Sequence, residues 1–181
     1  ALNGTASRRG ELDLAVALAS FELAALAPFL DTPDLELAGR VAGQGRVVGP
    51  YSALESLALD LEVEQSAIRL RDLRLSGPFG LELDVAEPLA ETRHGRVDLE
   101  LALAEAHYGA SFVKPSGVRA SLATKFESDA SGDLSFETRG PLNNLNELSL
   151  RGRLGDATRL VLTTSSFDLK GWSGLLPVLA N

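Results

Sequence analysis

The feature that most constrains this chain is a period-two alternation of leucine and valine with polar or small residues. Leu12, Leu14, Val16 and Leu18 alternate with Asp13, Ala15 and Ala17. Leu57, Leu59, Leu61 and Val63 enclose Ala58, Asp60 and Glu62, and Leu81, Leu83 and Val85 enclose Glu82 and Asp84. Val97, Leu99, Leu101 and Leu103 repeat the pattern around Asp98, Glu100 and Ala102. Val118, Ala120 and Leu122 continue it, as do Leu134 with Phe136, Leu148 with Leu150, and Leu160 with Leu162. Successive strand side chains point to opposite faces, so each segment reads as a strand with one apolar face. Gly, Pro, Asn, Asp and Ser fill the gaps, which are too short for parallel crossovers. The pattern predicts a mainly β chain of about ten to twelve strands in an antiparallel meander.

Composition narrows the class further. A length of 181 residues suits one domain, or two small ones at most. Hydrophobic residues make up 45%, enough for a sizeable core, yet aromatics are 6% and methionine is absent, so the apolar content is Leu, Val and Ala. A net charge of -8 argues against nucleic acid, which needs clustered Lys and Arg, and against simple docking on anionic lipid headgroups. With no cysteine there are no disulfides or thiolate metal sites. No run reaches the ~18 apolar residues of a membrane span. The chain opens at Ala1 without a charged and apolar leader, which reads as a processed protein or an excised segment.

Two stretches depart from the alternation. Ser20-Phe21-Glu22-Leu23 leads into an apolar run ending at Leu30, and Ser166-Phe167-Asp168-Leu169 leads into Trp172 and Pro177. Each opens on an N-cap residue and has helical apolar spacing, predicting short helices near 20–30 and 166–180. They align with each other, Leu26 matching Trp172, which suggests repeated units with boundaries near 20–35 and 166–181. Gly49-Pro50-Tyr51 and Gly140-Pro141-Leu142 form a second pair at a different separation, and Gly77-Pro78-Phe79 is a weaker third. Recurrence of Gly-Pro turns by composition alone is the alternative. Between Ile68 and Leu75 the apolar phase shifts by one at Arg71-Asp72, which either a β-bulge or a hairpin turn would produce.

The order of these features resembles the AsmA-like proteins of Gram-negative bacteria, including the TamB and YhdP types. The resemblance is carried by the Phe-acid-Leu segment and the glycine-spaced strand Leu37-Ala-Gly-Arg-Val-Ala-Gly-Gln-Gly-Arg-Val-Val-Gly-Pro50. The Leu-alternating strands, Leu70-Arg-Asp-Leu-Arg-Leu-Ser-Gly77 and the closing Phe167-to-Pro177 segment complete it. It implies a long curled sheet with an apolar lining, a β-taco, in a periplasmic segment of an inner-membrane-anchored protein whose anchor lies outside this stretch. It also implies phospholipid acyl chains as ligands, with outer-membrane β-barrel proteins as further partners, and it offers no catalytic residues to carry over.

Gly43-Gln-Gly45-Arg-Val-Val-Gly49 misses the dinucleotide fingerprint by one residue and lacks a strand–turn–helix context. Placing Gly39, Val41, Gly43, Gly45, Val47 and Gly49 on one strand face is the better reading. His94 and His107, with Glu91 or Glu105 as partners, form no metal-ligand spacing. Asp129, Ser131, Asp133 and Glu137 suggest a calcium loop, but its closing position falls on Gly140, so a hairpin turn at 129–132 is expected. No serine sits in a nucleophile elbow. Asn3-Gly4-Thr5 is a chance-level sequon. The expectation is therefore no enzyme, no metal and no cofactor.

The apolar face must be covered by something: a second sheet, a helix, the other half of a curled sheet, or lipid. Each buried leucine gains about 1.5–3 kcal/mol, so cover is obligatory. The scarcity of aromatics favours a smooth Leu/Val lining over a rigid core. The expected function is a lipid-binding, lipid-conducting segment serving phospholipid transport between inner and outer membrane. The alternatives are a β-strand-pairing scaffold for outer-membrane protein assembly and a purely structural β-rich module.

Overall fold

A computed structural model of the chain describes residues 2–6, 10–29, 32, 34–155, 157–164, 168–173 and 175–176. The alternating segments become twelve antiparallel strands in one open sheet. They are β1 (Leu2–Ala6), β2 (Glu11–Glu22), β3 (Leu35–Pro50), β4 (Ser56–Leu70), β5 (Leu73–Ala86) and β6 (Arg93–Glu100). Then follow β7 (Glu105–Tyr108), β8 (Phe112–Lys114), β9 (Ser121–Ser128), β10 (Leu134–Pro141), β11 (Glu147–Leu154) and β12 (Arg159–Thr164). Neighbours run in sequence order from β1 to β6 and then from β9 to β12. The strands β3, β4 and β5 hold 16, 15 and 14 residues. At the usual rise they are about 45–55 Å long.

That length gives β5 two partners along one side. Gly80–Ala86 pairs with β6 and Leu73–Ser76 pairs with β7, leaving a fork opposite Gly77, Pro78 and Phe79. The loop Leu101–Ala104 crosses this fork, because Pro78 has no N–H to give to a ladder. Backbone bonds from Leu101 N to Ala120 O and from Gly117 N to Ala102 O hold it. Lys114 reaches under the loop and donates to Ala102 O at 3.3 Å, Ala104 O at 2.6 Å and Pro115 O at 3.1 Å. Burial pushes its ammonium pKa down, and Glu100 partly offsets this.

Two irregularities keep the apolar residues in phase. Between Leu18 and Phe21, β2 carries one more residue than the facing stretch of β3, so both side chains stay on one face. Between Val63 and Ser66, β4 carries a second bulge, with Gln65 at φ 50°. Ser66 Oγ donates to Gly77 O at 2.5 Å beside it. At Arg71-Asp72 the phase shift is a hairpin turn, with Arg71 at φ 53°. Leu70 then faces Leu73 and Ile68 faces Leu75.

Both stretches hold a short helix, and each starts later than its N-cap residue suggests. Ser20, Phe21 and Glu22 belong to β2, and a 3-10 helix occupies Leu23–Phe29. Phe21 is kept in the sheet by its place opposite Val41, and Pro28 denies the short run an α-helical ladder. The second helix, α1, covers only Leu169–Ser173, while Ser166, Phe167 and Pro177 lie outside the described residues. At both occurrences the leucine after the acid, Leu23 or Leu169, is the first helical residue. Gly49-Pro50 and Gly140-Pro141 do end strands β3 and β10 alike, whereas Gly77-Pro78 lies inside β5.

Candidate functional site

The register lines up the apolar residues in rows across the sheet. One row runs through Val16, Gly45, Leu59, Leu83 and Val97 on β2 to β6. It continues through Thr124, Thr138, Leu150 and Leu162 to the β12 edge. A second row carries Leu18, Leu61, Leu81, Leu99 and Leu122, with Leu148 further along beside Gly140. A third carries Leu14, Leu57, Val85, Phe136 and Leu160. Leu12 and Leu134 extend the same face at one end, and Val63, facing Val41 and Phe79, extends it at the other.

Three predicted members leave this face. β6 ends at Glu100, so Leu101 and Leu103 lie in the fork loop, and Leu103 is 62% exposed. Val118 precedes β9, which starts at Ser121. The alternation through these residues is real, but the Pro78 kink in the neighbouring strand removes the ladder it would have joined. Phe126 is a member the sequence reading passed over, because the polar Thr124 beside it interrupts the leucine pattern. Phe21, Leu37, Ile68 and Phe79 were likewise missed, since each is separated from the clear alternation by a bulge or a turn.

Glycines meet aromatic rings within the third row. A Cβ on Gly95 would lie 2.7 Å from Phe126 Cζ, and one on Gly152 would lie 2.5 Å from Phe136. The two adjacent rings thus extend over the glycine on either side and level the apolar surface.

Among the described residues, a helix covers one part of this face. The 3-10 helix sets Leu23 on Val41 and Val63, with Leu37, Leu61, Ile68 and Phe79 packed around them. Elsewhere the leucines are half-buried by one another, and Leu160 and Leu162 at the β12 edge are 57% and 63% exposed.

The opposite face is ionic. Arg46 donates to both carboxylate oxygens of Asp13, at 2.9 and 2.8 Å, and holds that carboxyl below its usual range. Glu137 accepts from Arg139 and Arg151, each at 2.8 Å, and is depressed by those bonds in that order. Asp60, Glu82 and Asp98 sit directly opposite one another on β4, β5 and β6. A concavity of about 780 Å³ draws its lining from both sets of residues, Asp60, Glu82, Asp98 and Arg139 together with the second-row Leu61, Leu81, Leu99 and Leu122.

The remaining candidates fall on turns and edges. His94 is an exposed β6 residue opposite Glu127, and His107 on β7 contacts Glu105. Asp129 closes the expected hairpin, accepting from Ser131 N at 2.9 Å and Asp133 N at 3.1 Å. Among the described residues no cluster of three or more His, Asp or Glu is set to hold a metal, and no helix is long and apolar enough to cross a membrane.

No family model matches the sequence, and neither a curated protein nor a solved structure gives a significant match.

Proposed function

We propose that the chain is an amphiphile-binding segment of AsmA-like type, which carries phospholipid acyl chains along its apolar face in the cell envelope. The observation that supports this reading is the leucine- and valine-rich face that runs from β2 to the β12 edge, interrupted by the Thr124–Thr138 pair, with Leu160 and Leu162 still exposed at its end. Acyl chains lie along Leu and Val side chains, which offer dispersion contacts without directional bonds and let a chain slide. Headgroups stay in water at the rim. The segment contributes no bond-making chemistry, only a continuous low-energy path.

Native mass spectrometry and lipid extraction of the purified chain test the reading. Co-purified phospholipid is expected. Leu59→Asp and Leu83→Asp place a carboxylate in the middle of the central row and should abolish lipid retention while leaving the β circular-dichroism spectrum intact. Leu89→Asp, in the exposed turn between β5 and β6, should retain lipid as the wild type does. Equal retention by Leu59→Asp, Leu83→Asp and the wild type would sink the proposal.

A second reading rests on β12, whose six residues are all exposed and which has no described neighbour on its outer side. Such an edge accepts another strand by backbone hydrogen bonding. Capture of unfolded β-barrel clients that is lost on Val161→Pro, with lipid retention unchanged, favours it.

A further inference from the structure

The polar face changes character where β4 turns into β5. Arg69 lies directly opposite Arg74, and Arg74 lies directly opposite His107 on β7. The like charges of Arg69 and Arg74 at opposed positions weaken that strand pair, so this arrangement calls for a compensating anion. Arg71 stands in the turn between them at φ 53°, a left-handed conformation that residues with a side chain rarely adopt. Together with Asp72 and Ser76, these residues line a concavity of about 660 Å³.

The available carboxylates do not neutralise the cluster. Glu36 pairs with Arg69 at 3.8 Å, and Glu105 is engaged with His107, which leaves Arg71 and Arg74. Among the described residues neither Arg71 nor Arg74 has an ion pair or a side-chain hydrogen bond, in contrast to Arg46 and Arg151 on the same face. Asp72 is the one remaining acid lining the concavity, against two guanidiniums. The same end of the sheet is apolar on its other face. Leu70 faces Leu73, Leu73 faces Tyr108, and Leu73 and Tyr108 are 43% and 58% exposed. Guanidinium and apolar surface are thus separated by the thickness of one strand.

We propose that Arg69, Arg71 and Arg74 form a phosphate-binding site at the β4–β5 hairpin, which receives the phosphate of an amphiphile whose chain lies on the apolar face. Guanidinium suits phosphate because its planar fork donates two parallel bonds to two oxygens. The identity of the ligand as an amphiphile rests on the function proposed above, whereas the affinity for phosphate rests on the arginine cluster alone.

Titration of the full chain with dihexanoyl phosphatidic acid, dihexanoylglycerol and inorganic phosphate separates the two. The lipids share their chains and differ in the phosphate. The phosphorylated lipid should bind at least about tenfold more tightly, the worth of one charged hydrogen-bond pair. The double variant Arg71→Gly, Arg74→Gln should bring the two lipids level; glycine accepts the turn conformation, so the fold is kept, as a thermal melt verifies. Arg74→Lys should retain an intermediate preference. Equal binding of both lipids by the wild type, or a preference that survives the double variant, overturns the site and leaves the apolar-face reading standing. Inorganic phosphate binding that is lost in the double variant, with neither lipid bound, supports the site for free phosphate and overturns the apolar-face reading. Binding of none of the three overturns both.

Discussion

Thr124 and Thr138 face each other on β9 and β10 within a row of leucine and valine, and their hydroxyls share a hydrogen bond of 2.9 Å. Thr138 is buried, so each hydroxyl satisfies the other in a place where water is scarce. Thr138→Val alone strands the Thr124 hydroxyl and should destabilise by about 1–2 kcal/mol. The double change to valine should recover most of that loss, because two matched apolar groups leave nothing unsatisfied. Urea unfolding of both single variants and the double variant measures the coupling, and additive losses would refute it.

The glycines under the aromatic rings predict a packing penalty. A Cβ at Gly152 would lie 2.5 Å from Phe136 and 2.7 Å from Leu160 Cδ2, so Gly152→Val must displace the ring or part β11 from β12. Overpacking of this kind costs about 1–3 kcal/mol. Thermal denaturation should show the loss, and Phe136→Ala in the same chain should relieve the clash, giving a double variant more stable than the summed single effects.

Asn146 is the polar anchor of α1. Its side chain is almost fully buried, accepts from Asp168 N at 2.9 Å and donates to Asn143 Oδ1 at 3.3 Å, while Asn143 Nδ2 donates to Gly171 O at 3.1 Å. Asn146→Ala should free α1 from the β10–β11 loop at a cost of about 1–3 kcal/mol. Hydrogen exchange should quicken at Trp172 and Leu175 while β3 and β4 keep their protection. Uniform loss of protection would mean that Asn146 supports the whole sheet instead.

Acid should weaken the β10–β11 side of the sheet. Bonds from Arg139 and then Arg151 lower the Glu137 pKa below its ordinary 4.5. A carboxylate depressed in the folded state binds its proton more readily when unfolded, so it adds stability above the unfolded value. That contribution is fully present above about pH 4.5 and is lost as pH falls toward the depressed folded value. Glu137→Gln should flatten this part of the melting-temperature profile. Both arginines and Glu137 are solvent-facing, so added salt should shrink the effect.

The β class and the apolar face were legible because strand side chains alternate and the face must be buried. Leu57 to Val63 and Leu81 to Val85 announce both strands and their inward residues. Where the pattern was interrupted by a feature that needs a neighbour, the sequence misled. Leu101 and Leu103 alternate as a strand would, yet Pro78 across the gap cannot donate, and the segment becomes a loop. The 3-10 helix begins later than expected because Phe21 is held by Val41, a residue twenty positions away in sequence. Phe126 was hidden behind Thr124, whose polarity makes sense only once Thr138 is opposite.

Alternation alone, a property of each strand by itself, determined that this chain makes amphipathic strands with leucine on one side and charge on the other. Tertiary structure decided the register that joins those leucines into rows, the bulges that hold Leu18 with Phe21 and Val63 with Ser66 in phase, and the fork at Pro78. It also decided that Arg69 and Arg74 confront each other across a hairpin. Pairing energies depend on which residues lie opposite, and that information belongs to two strands at once.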